Sequence, residues 1–250
     1  MKVLLAILAL FALTGARDPI LVPEVSQHKI ELRQGFTGTE LLLFGAILSQ
    51  DGTRAAREYD IVVVLKGPTQ SVVVREKRKI AGIWINADSA EFRSAPTYYG
   101  LASTRPINEI VDDKTAAIYE LGLPWLQLSP IGTIDTQQQE RFSLGLVELK
   151  QRQGLYRQDE SQVSVKEQVL YQARISLPSS VPTGTYTAET FAISKGRVVA
   201  SASSEIEVGK QGFELAIAEF SENQPFFYGL LTVVVSISMG WIAGRFFTQS

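Results

Sequence analysis

His28 is the only histidine in the chain, and there is no cysteine. Imidazole and thiolate are the main nitrogen and sulfur ligands of zinc and copper, so sites built from them are nearly excluded. A Ser-His-Asp triad would have to use His28, which falls on an expected first strand. No Gly-x-Ser-x-Gly elbow, Walker loop or dinucleotide glycine motif is present. Carboxylates do occur in pairs, Asp112-Asp113 and Asp159-Glu160. Neighbouring residues on a helix point in different directions, so Asp112-Asp113 reads as a solvated face rather than an acid/base pair. No loop gathers the several oxygen ligands calcium needs. The expectation is a non-enzymatic protein without cofactor or metal.

Residues suited to recognition are more prominent. The stretch "GIWINADSAEFRSAPTYYGLASTRP", Gly82 to Pro106, holds Trp84, Asn86, Tyr98, Tyr99 and Arg105, and follows the basic run Arg75 to Lys79. Aromatic and Arg side chains dominate interface energetics, which makes these five a candidate recognition surface. Core packing is the competing reading. Ile83 and Ile85 flank Trp84, an apolar pattern expected of a strand covered on both faces. The basic run reads as a solvated hairpin turn.

A second candidate lies near the C-terminus. "PFFYGLLTVVVSISMGWIAG", Pro225 to Gly244, contains no charge and is long enough to span a bilayer. Phe226, Phe227 and Tyr228 mark one interface, and Trp241, Phe246 and Phe247 the other. Thr232, Ser236, Gly240 and Gly244 are spaced four apart, and the last two form a Gly-x-x-x-Gly motif. Small residues at that spacing leave a groove where a second helix can approach closely. The expected partner is another membrane protein or a second copy of the chain.

These residues need elements to hold them. Alternation and β-branched runs predict strands through residues 26 to 105, broken by turns at Gly35 to Gly38, Asp51-Gly52 and Gly67-Pro68. Helical spacing from Ile107 to Leu121, with Pro106 ahead and Gly122 and Pro124 behind, predicts one helix. Thr136 to Gln139 resembles a capping box opening a second, which ends near Gly154. Strands resume with strict alternation over Val169 to Leu177, a corner in "LPSSVPTGTY", and a turn at Lys195-Gly196. The fold class expected is mainly β: an immunoglobulin-like β-sandwich with a two-helix insertion at about 106–153, plus one C-terminal transmembrane helix. Two small β-domains are the alternative.

The chain ends fix the expected placement. Lys2, an apolar run from Val3 to Leu13 and small residues Thr14 to Ala16 read as a signal peptide over 1–16, with an uncleaved anchor as the other possibility. Residues 17–208 would form a periplasmic domain, 209–225 a juxtamembrane segment, 226–247 the span and 248–250 a cytoplasmic tail. Setting Lys2 and Arg245 aside leaves 22 basic residues against 26 acidic, about −4. Nucleic acid, which requires a concentrated basic excess, is not an expected partner; the lipid bilayer is.

"GIWIN", "APTYYGLAS", "LPSSVPTGTY" and the ending "GFELAIAEFSENQPFFYGLLTVVVSISMGWIAGRFF" resemble the putative transmembrane protein family of alphaproteobacteria, across nearly the whole mature chain. The resemblance implies a bacterial inner membrane, a periplasmic domain and a single pass. Members look like neighbours of sulfite-exporter-type permeases, which implies such a permease as partner. It brings no catalytic residues to carry over. The function expected is a membrane-anchored periplasmic binding or accessory protein. A self-associating structural or envelope-assembly protein is second and a periplasmic enzyme third.

Overall fold

A computed structural model of the chain describes residues 19–33, 35–48, 59–132, 135–210 and 213–247. The expected signal peptide, the Asp51-Gly52 turn and the tail 248–250 lie outside the described residues. So do the side chains of Phe213, Arg245, Phe246 and Phe247. The chain divides into two compact units: one of residues 1–30 and 37–208, the other of 31–36 and 209–250.

The first unit is mainly β. One sheet has four strands in the order β1 (Ile20–Val25), β3 (Gly38–Leu48), β10 (Leu170–Pro178) and β9 (Ser164–Lys166). The other has six, ordered β2 (Lys29–Leu32), β12 (Arg197–Lys210), β11 (Gly184–Ser194), β4 (Asp60–Lys66), β7 (Tyr99–Ser103) and β8 (Tyr156–Asp159). β10 lies against β7 and β4, and β1 against β11, so the two sheets face each other.

Side-chain alternation explains how this core fills. On β10, Tyr171, Ala173, Ile175 and Leu177 are buried at every second position, as the sequence pattern requires of a strand with one covered face. β4 differs. Ile61 to Leu65 are all fully buried. Leu65 pairs with Gly100, where an added Cβ would meet Ile175 of β10, so the odd-numbered residues face the other sheet. Val62 and Val64 point the opposite way and pair across β11 with Phe191 and Glu189. That outer face is covered by α1 (Ile107–Ile110) and α2 (Asp113–Tyr119): Tyr119 packs edge-on against Phe191 at 5.6 Å between ring centroids. A strand buried on both faces is a continuous apolar run, which is what "IVVVL" is.

Gly45 lets β1 and β10 close on β3 together. An added Cβ there would overlap the Val22 carbonyl oxygen and stand 2.6 Å from the Tyr171 hydroxyl oxygen.

The single helix expected over 107–121 is two short ones. The chain turns extended at Val111 and Asp112, and the Asp112 carboxylate then accepts a hydrogen bond from the Thr115 amide, capping α2. Asp112 is thus an N-cap, the role its short acceptor side chain suits. A 3₁₀ turn follows at Leu123–Trp125. In α3 (Thr136–Arg152) the residue at the N-cap is Asp135, with no side-chain capping bond. Thr136 is already helical, so the expected capping box does not form. From β7 the chain passes through these helices to β8, which pairs parallel to it.

β5 (Thr69–Ile80) and β6 (Ile83–Pro96) form a separate two-stranded hairpin. Its base packs on α3 in a second core of Ala90, Phe92, Ala95, Leu128, Phe142 and Leu146. Here the structure overturns two expectations. The run Arg75 to Lys79 is part of the β5 strand, and the turn is Ala81-Gly82, both with positive φ (50° and 84°) as a tight hairpin requires. Trp84 is not core: it is 65% exposed, beside exposed Ile83 and Ile85.

The second unit contains α4 (Phe213–Asn223) and α5 (Pro225–Phe247). Within α5, Pro225–Gly244 is long and apolar enough to cross a membrane, and none of it is buried.

Candidate functional site

The five recognition candidates separate completely. Tyr98 and Tyr99 have no exposed surface, so neither can touch a partner. They belong to a group of five buried tyrosines that tie the unit together. Tyr98 donates its hydroxyl to the Ser176 carbonyl, Tyr156 to that of Pro96 and Tyr186 to that of Pro182, each at 2.7–2.8 Å. Tyr171 lies 3.4 Å from the Thr190 hydroxyl. Tyr99 donates to the Glu120 carbonyl and accepts from the Gly122 amide. Burial raises the pKa of all five, and that of Tyr186 reaches about 12. Each ring brings apolar bulk while its hydroxyl finds a polar partner, a backbone group in four and the Thr190 hydroxyl for Tyr171, which is how tyrosine is accommodated in a core.

Arg105 is exposed but committed. It makes a two-pronged pair with Asp60, Nε to Oδ1 at 2.9 Å and NH2 to Oδ2 at 2.7 Å, and reaches Glu109 at 3.4 Å. The Thr104 hydroxyl also donates to Asp60 and accepts from the Ile61 amide. The guanidinium hydrogen bond holds the Asp60 carboxyl below its ordinary pKa. This cluster pins the start of β4 to the end of β7, and it borders a recess of about 600 Å³ that also includes Tyr59 and Gln168. Of the five candidates, Trp84 and Asn86 are exposed on the β5–β6 hairpin.

A cleft of about 820 Å³ lies on the outer face of the six-stranded sheet between α2 and β11. Lys66 sits in it, 2.6 Å from Glu120 and 3.3 Å from Glu189. Glu120 holds a left-handed backbone (φ 53°), rare outside glycine. Three contacts stabilise it there: the Tyr99 hydroxyl on its carbonyl, Lys66 on one carboxylate oxygen and the Gln127 amide on the other. Lys66 is therefore a tie between β4, β11 and the end of α2. Tyr119 and Phe191 supply an aromatic wall beside it. Such a cleft can hold a polar ligand. Sequence reading missed this triad because Lys66, Glu120 and Glu189 lie on three elements whose pairing the sequence does not display. The position of Lys66 at the end of an apolar strand was its one signal.

Lys150 was also missed. It follows Phe142 and Leu146 on the buried face of α3, and desolvation lowers the pKa of its amine. A long aliphatic stem makes this position tolerable for lysine. Among the described residues, no group of three or more His, Cys, Asp and Glu side chains is arranged to hold a metal ion.

On α5, Thr232, Ser236, Gly240 and Gly244 form one stripe, as their spacing requires. The hydroxyls are satisfied within the helix: Thr232 donates to the Tyr228 carbonyl at 2.7 Å and Ser236 to that of Thr232 at 2.8 Å. Ser238 does the same to Val234. In hydrocarbon these internal bonds remove the cost of bare hydroxyls. The stripe then offers low relief rather than polar attraction. An added Cβ at Gly240 or Gly244 would meet nothing within 4 Å.

Compared with known protein families, residues 20–249 match the family described as "Putative transmembrane protein (Alph_Pro_TM)". No curated protein and no solved structure matches the chain.

Proposed function

The chain belongs to this putative transmembrane protein family, and from that premise we propose that it is a non-enzymatic accessory protein, anchored by α5 in a bacterial inner membrane with its β-rich unit in the periplasm. The observation that carries the reading is the charge-free stretch Pro225–Gly244, with none of it buried, along a helix that follows the β-rich unit in the chain. Twenty helical residues rise about 30 Å, the thickness of a hydrocarbon core. The basic and then apolar opening, Met1 to Ala16, supports export.

The β-rich unit is read as immunoglobulin-like. Taken in chain order, β1, β3, β10 and β9 occupy the places of strands A, B, E and D, and β12, β11, β4 and β7 those of G, F, C and C′. Tyr186, at the start of β11 and bonded four residues back to Pro182, has the geometry of a tyrosine corner. Two elements depart from that pattern: the β5–β6 hairpin between C and C′, and the helices leading to the parallel strand β8. Sandwiches of this kind commonly serve as interaction modules, and α5 offers its small-residue stripe to a second transmembrane helix. The partner class proposed is a membrane permease, of sulfite-exporter type as the family resemblance implies; a second copy is the other reading that the stripe favours.

Two experiments test this. A reporter active only in the periplasm should work when fused after Lys210, and one active only in the cytoplasm when fused after Ser250; the reverse pattern sinks the topology. Gentle detergent extraction followed by mass spectrometry should recover a permease with the chain. Recovery of the chain only with itself selects the self-associating reading, and recovery of monomer alone removes both.

A further inference from the structure

The end of the β5–β6 hairpin is unlike the rest of the surface. Ile80 is 53% exposed, Ile83 68%, Trp84 65% and Ile85 43%. These four large apolar side chains surround one turn, Ala81-Gly82. Over residues 77–87, "KRKIAGIWINA", there are three basic residues and no acidic one. Arg78 is matched by Glu76 at 3.1 Å and Asp88 at 3.2 Å. Among the described residues, no carboxylate lies within ion-pair distance of Lys77 or Lys79.

The pairing register sorts these side chains. Lys77 stands opposite Asn86 and Lys79 opposite Trp84, so all four share a face. Arg78 and Ile85, with Ile80 and Ile83, share the other. The register shifts between Glu76 and Lys77, where β6 carries the extra residue Ala87. Beyond that bulge the register stands Trp84 opposite Lys79. The base of the hairpin is held rigidly by Phe92 and Ala90 packed on α3. An ordered arm therefore presents an apolar tip with free ammonium groups immediately behind it.

We propose that this hairpin tip docks on an anionic phospholipid surface, burying Ile80, Ile83, Trp84 and Ile85 at the headgroup boundary while Lys77 and Lys79 engage lipid phosphates. Length supports the match. A strand advances about 3.3 Å per residue, so Lys79 lies roughly 7 Å behind the turn and Lys77 roughly 13 Å. Interfacial segments sink about 5–10 Å. The apolar tip fills that depth, and the lysines meet the phosphates with their stems extended. Tryptophan favours the same boundary because its ring is apolar and its N–H is a donor. A chain of a transmembrane family always has a bilayer as its neighbour, and the proposal holds whether or not a protein partner exists.

The test uses the full chain in vesicles, with Trp125→Phe and Trp241→Phe so that Trp84 is the sole tryptophan. Membrane carrying brominated acyl chains should quench Trp84 when it contains phosphatidylglycerol. In a second arm, brominated phosphatidylglycerol vesicles are added to unbrominated proteoliposomes, which detects docking on an opposing membrane. Quenching in either arm supports the proposal and says which membrane is touched. Lys77→Gln with Lys79→Gln should shift the docked-to-undocked ratio about thirtyfold, at about 1 kcal/mol per basic residue. Absence of quenching in both arms, with unchanged circular dichroism, overturns the proposal and assigns the tip to a protein partner. Equal quenching in purely zwitterionic lipid, insensitive to the lysine substitutions, overturns the anionic assignment.

Discussion

The Tyr99 hydroxyl lies 2.8 Å from the Gly122 backbone nitrogen, accepting its hydrogen bond while donating its own proton to the Glu120 carbonyl. One phenol in the middle of a sheet thus closes the turn that ends α2. The same turn places the Glu120 carboxylate against Lys66.

Tyr99→Phe removes the phenol from the Glu120 carbonyl and the Gly122 amide, and leaves these two groups with the 3.1 Å bond between them. Losing a buried hydrogen-bond partner costs about 1–3 kcal/mol. We expect a loss of about 2–3 kcal/mol, against about 1 kcal/mol for Tyr186→Phe, which loses its bond to the Pro182 carbonyl. Urea unfolding of the full chain in detergent compares the two. Equal midpoints for both variants would show that the second bond to Tyr99 contributes nothing.

The buried phenols also set a limit at high pH. Burial raises their pKa in the folded chain, with Tyr186 at about 12, while unfolded tyrosine titrates near 10. Above pH of about 10 the unfolded chain has lost protons that the folded chain retains. Stability therefore falls as pH rises, and the full contribution is present below pH of about 10. Urea midpoints should stay level from about pH 7 to 9 and decline steadily from about 10 to 12. A midpoint that holds constant to pH 12 would contradict the burial of these hydroxyls.

Trp84→Ala should leave the melting curve within about 0.5 kcal/mol of the parent, as exposed substitutions do. Phe92→Ala, in the core between the hairpin and α3, should cost about 3–5 kcal/mol. The pair discriminates tip from base on one strand. If Trp84→Ala destabilised as much as Phe92→Ala, the hairpin would be covered by other parts of the protein.

Helix association in lipid depends on close packing, because acyl tails are already as apolar as leucine. Gly240→Ile fills the low relief on α5 yet remains compatible with insertion. It should abolish association in a membrane two-hybrid assay, whether the partner is a permease or a second copy. Val234→Ile, off the stripe, should have little effect. Unchanged signals from Gly240→Ile would remove the stripe from any interface.

Much of the architecture was legible because it repeats locally. Tyr171 to Leu177 alternate, Lys195-Gly196 turns, and Pro225 to Gly244 lack charge; each property is contained in a few consecutive residues. Trp84 was misread because "IWI" has the same composition at an exposed tip as in a core strand. What exposes it is its distance from the α3 contact, a tertiary fact. Tyr98 and Tyr99 fit two readings in the sequence, a recognition surface and a packed core, because aromatic side chains serve both. Their hydroxyls find carbonyls at Ser176 and Glu120, far along the chain. The break at Val111 was hidden because apolar residues at 110, 111 and 118 keep helical spacing on both sides of the Asp112 cap. The Lys66 cleft was invisible for the same reason as the tyrosine bonds: its members meet only where β4, β11 and the end of α2 come together.

The strand order imposes a schedule on synthesis. β3 is flanked by β1 and β10, and β4 by β11 and β7, so early strands are completed by late ones. Roughly 120 residues separate β3 from β10 and β4 from β11, which at about 5–20 residues per second takes roughly 6–24 s. Throughout that interval a nascent chain carries two apolar strands, "LLLFGAIL" and "IVVVL", each with an edge waiting for its neighbour. Open edges of that composition pair readily with other chains. These two segments are the ones a holding chaperone would guard until Tyr171 to Val208 arrive, and ribosome-arrested chains ending before Leu170 are expected to bind such a chaperone more tightly than longer ones.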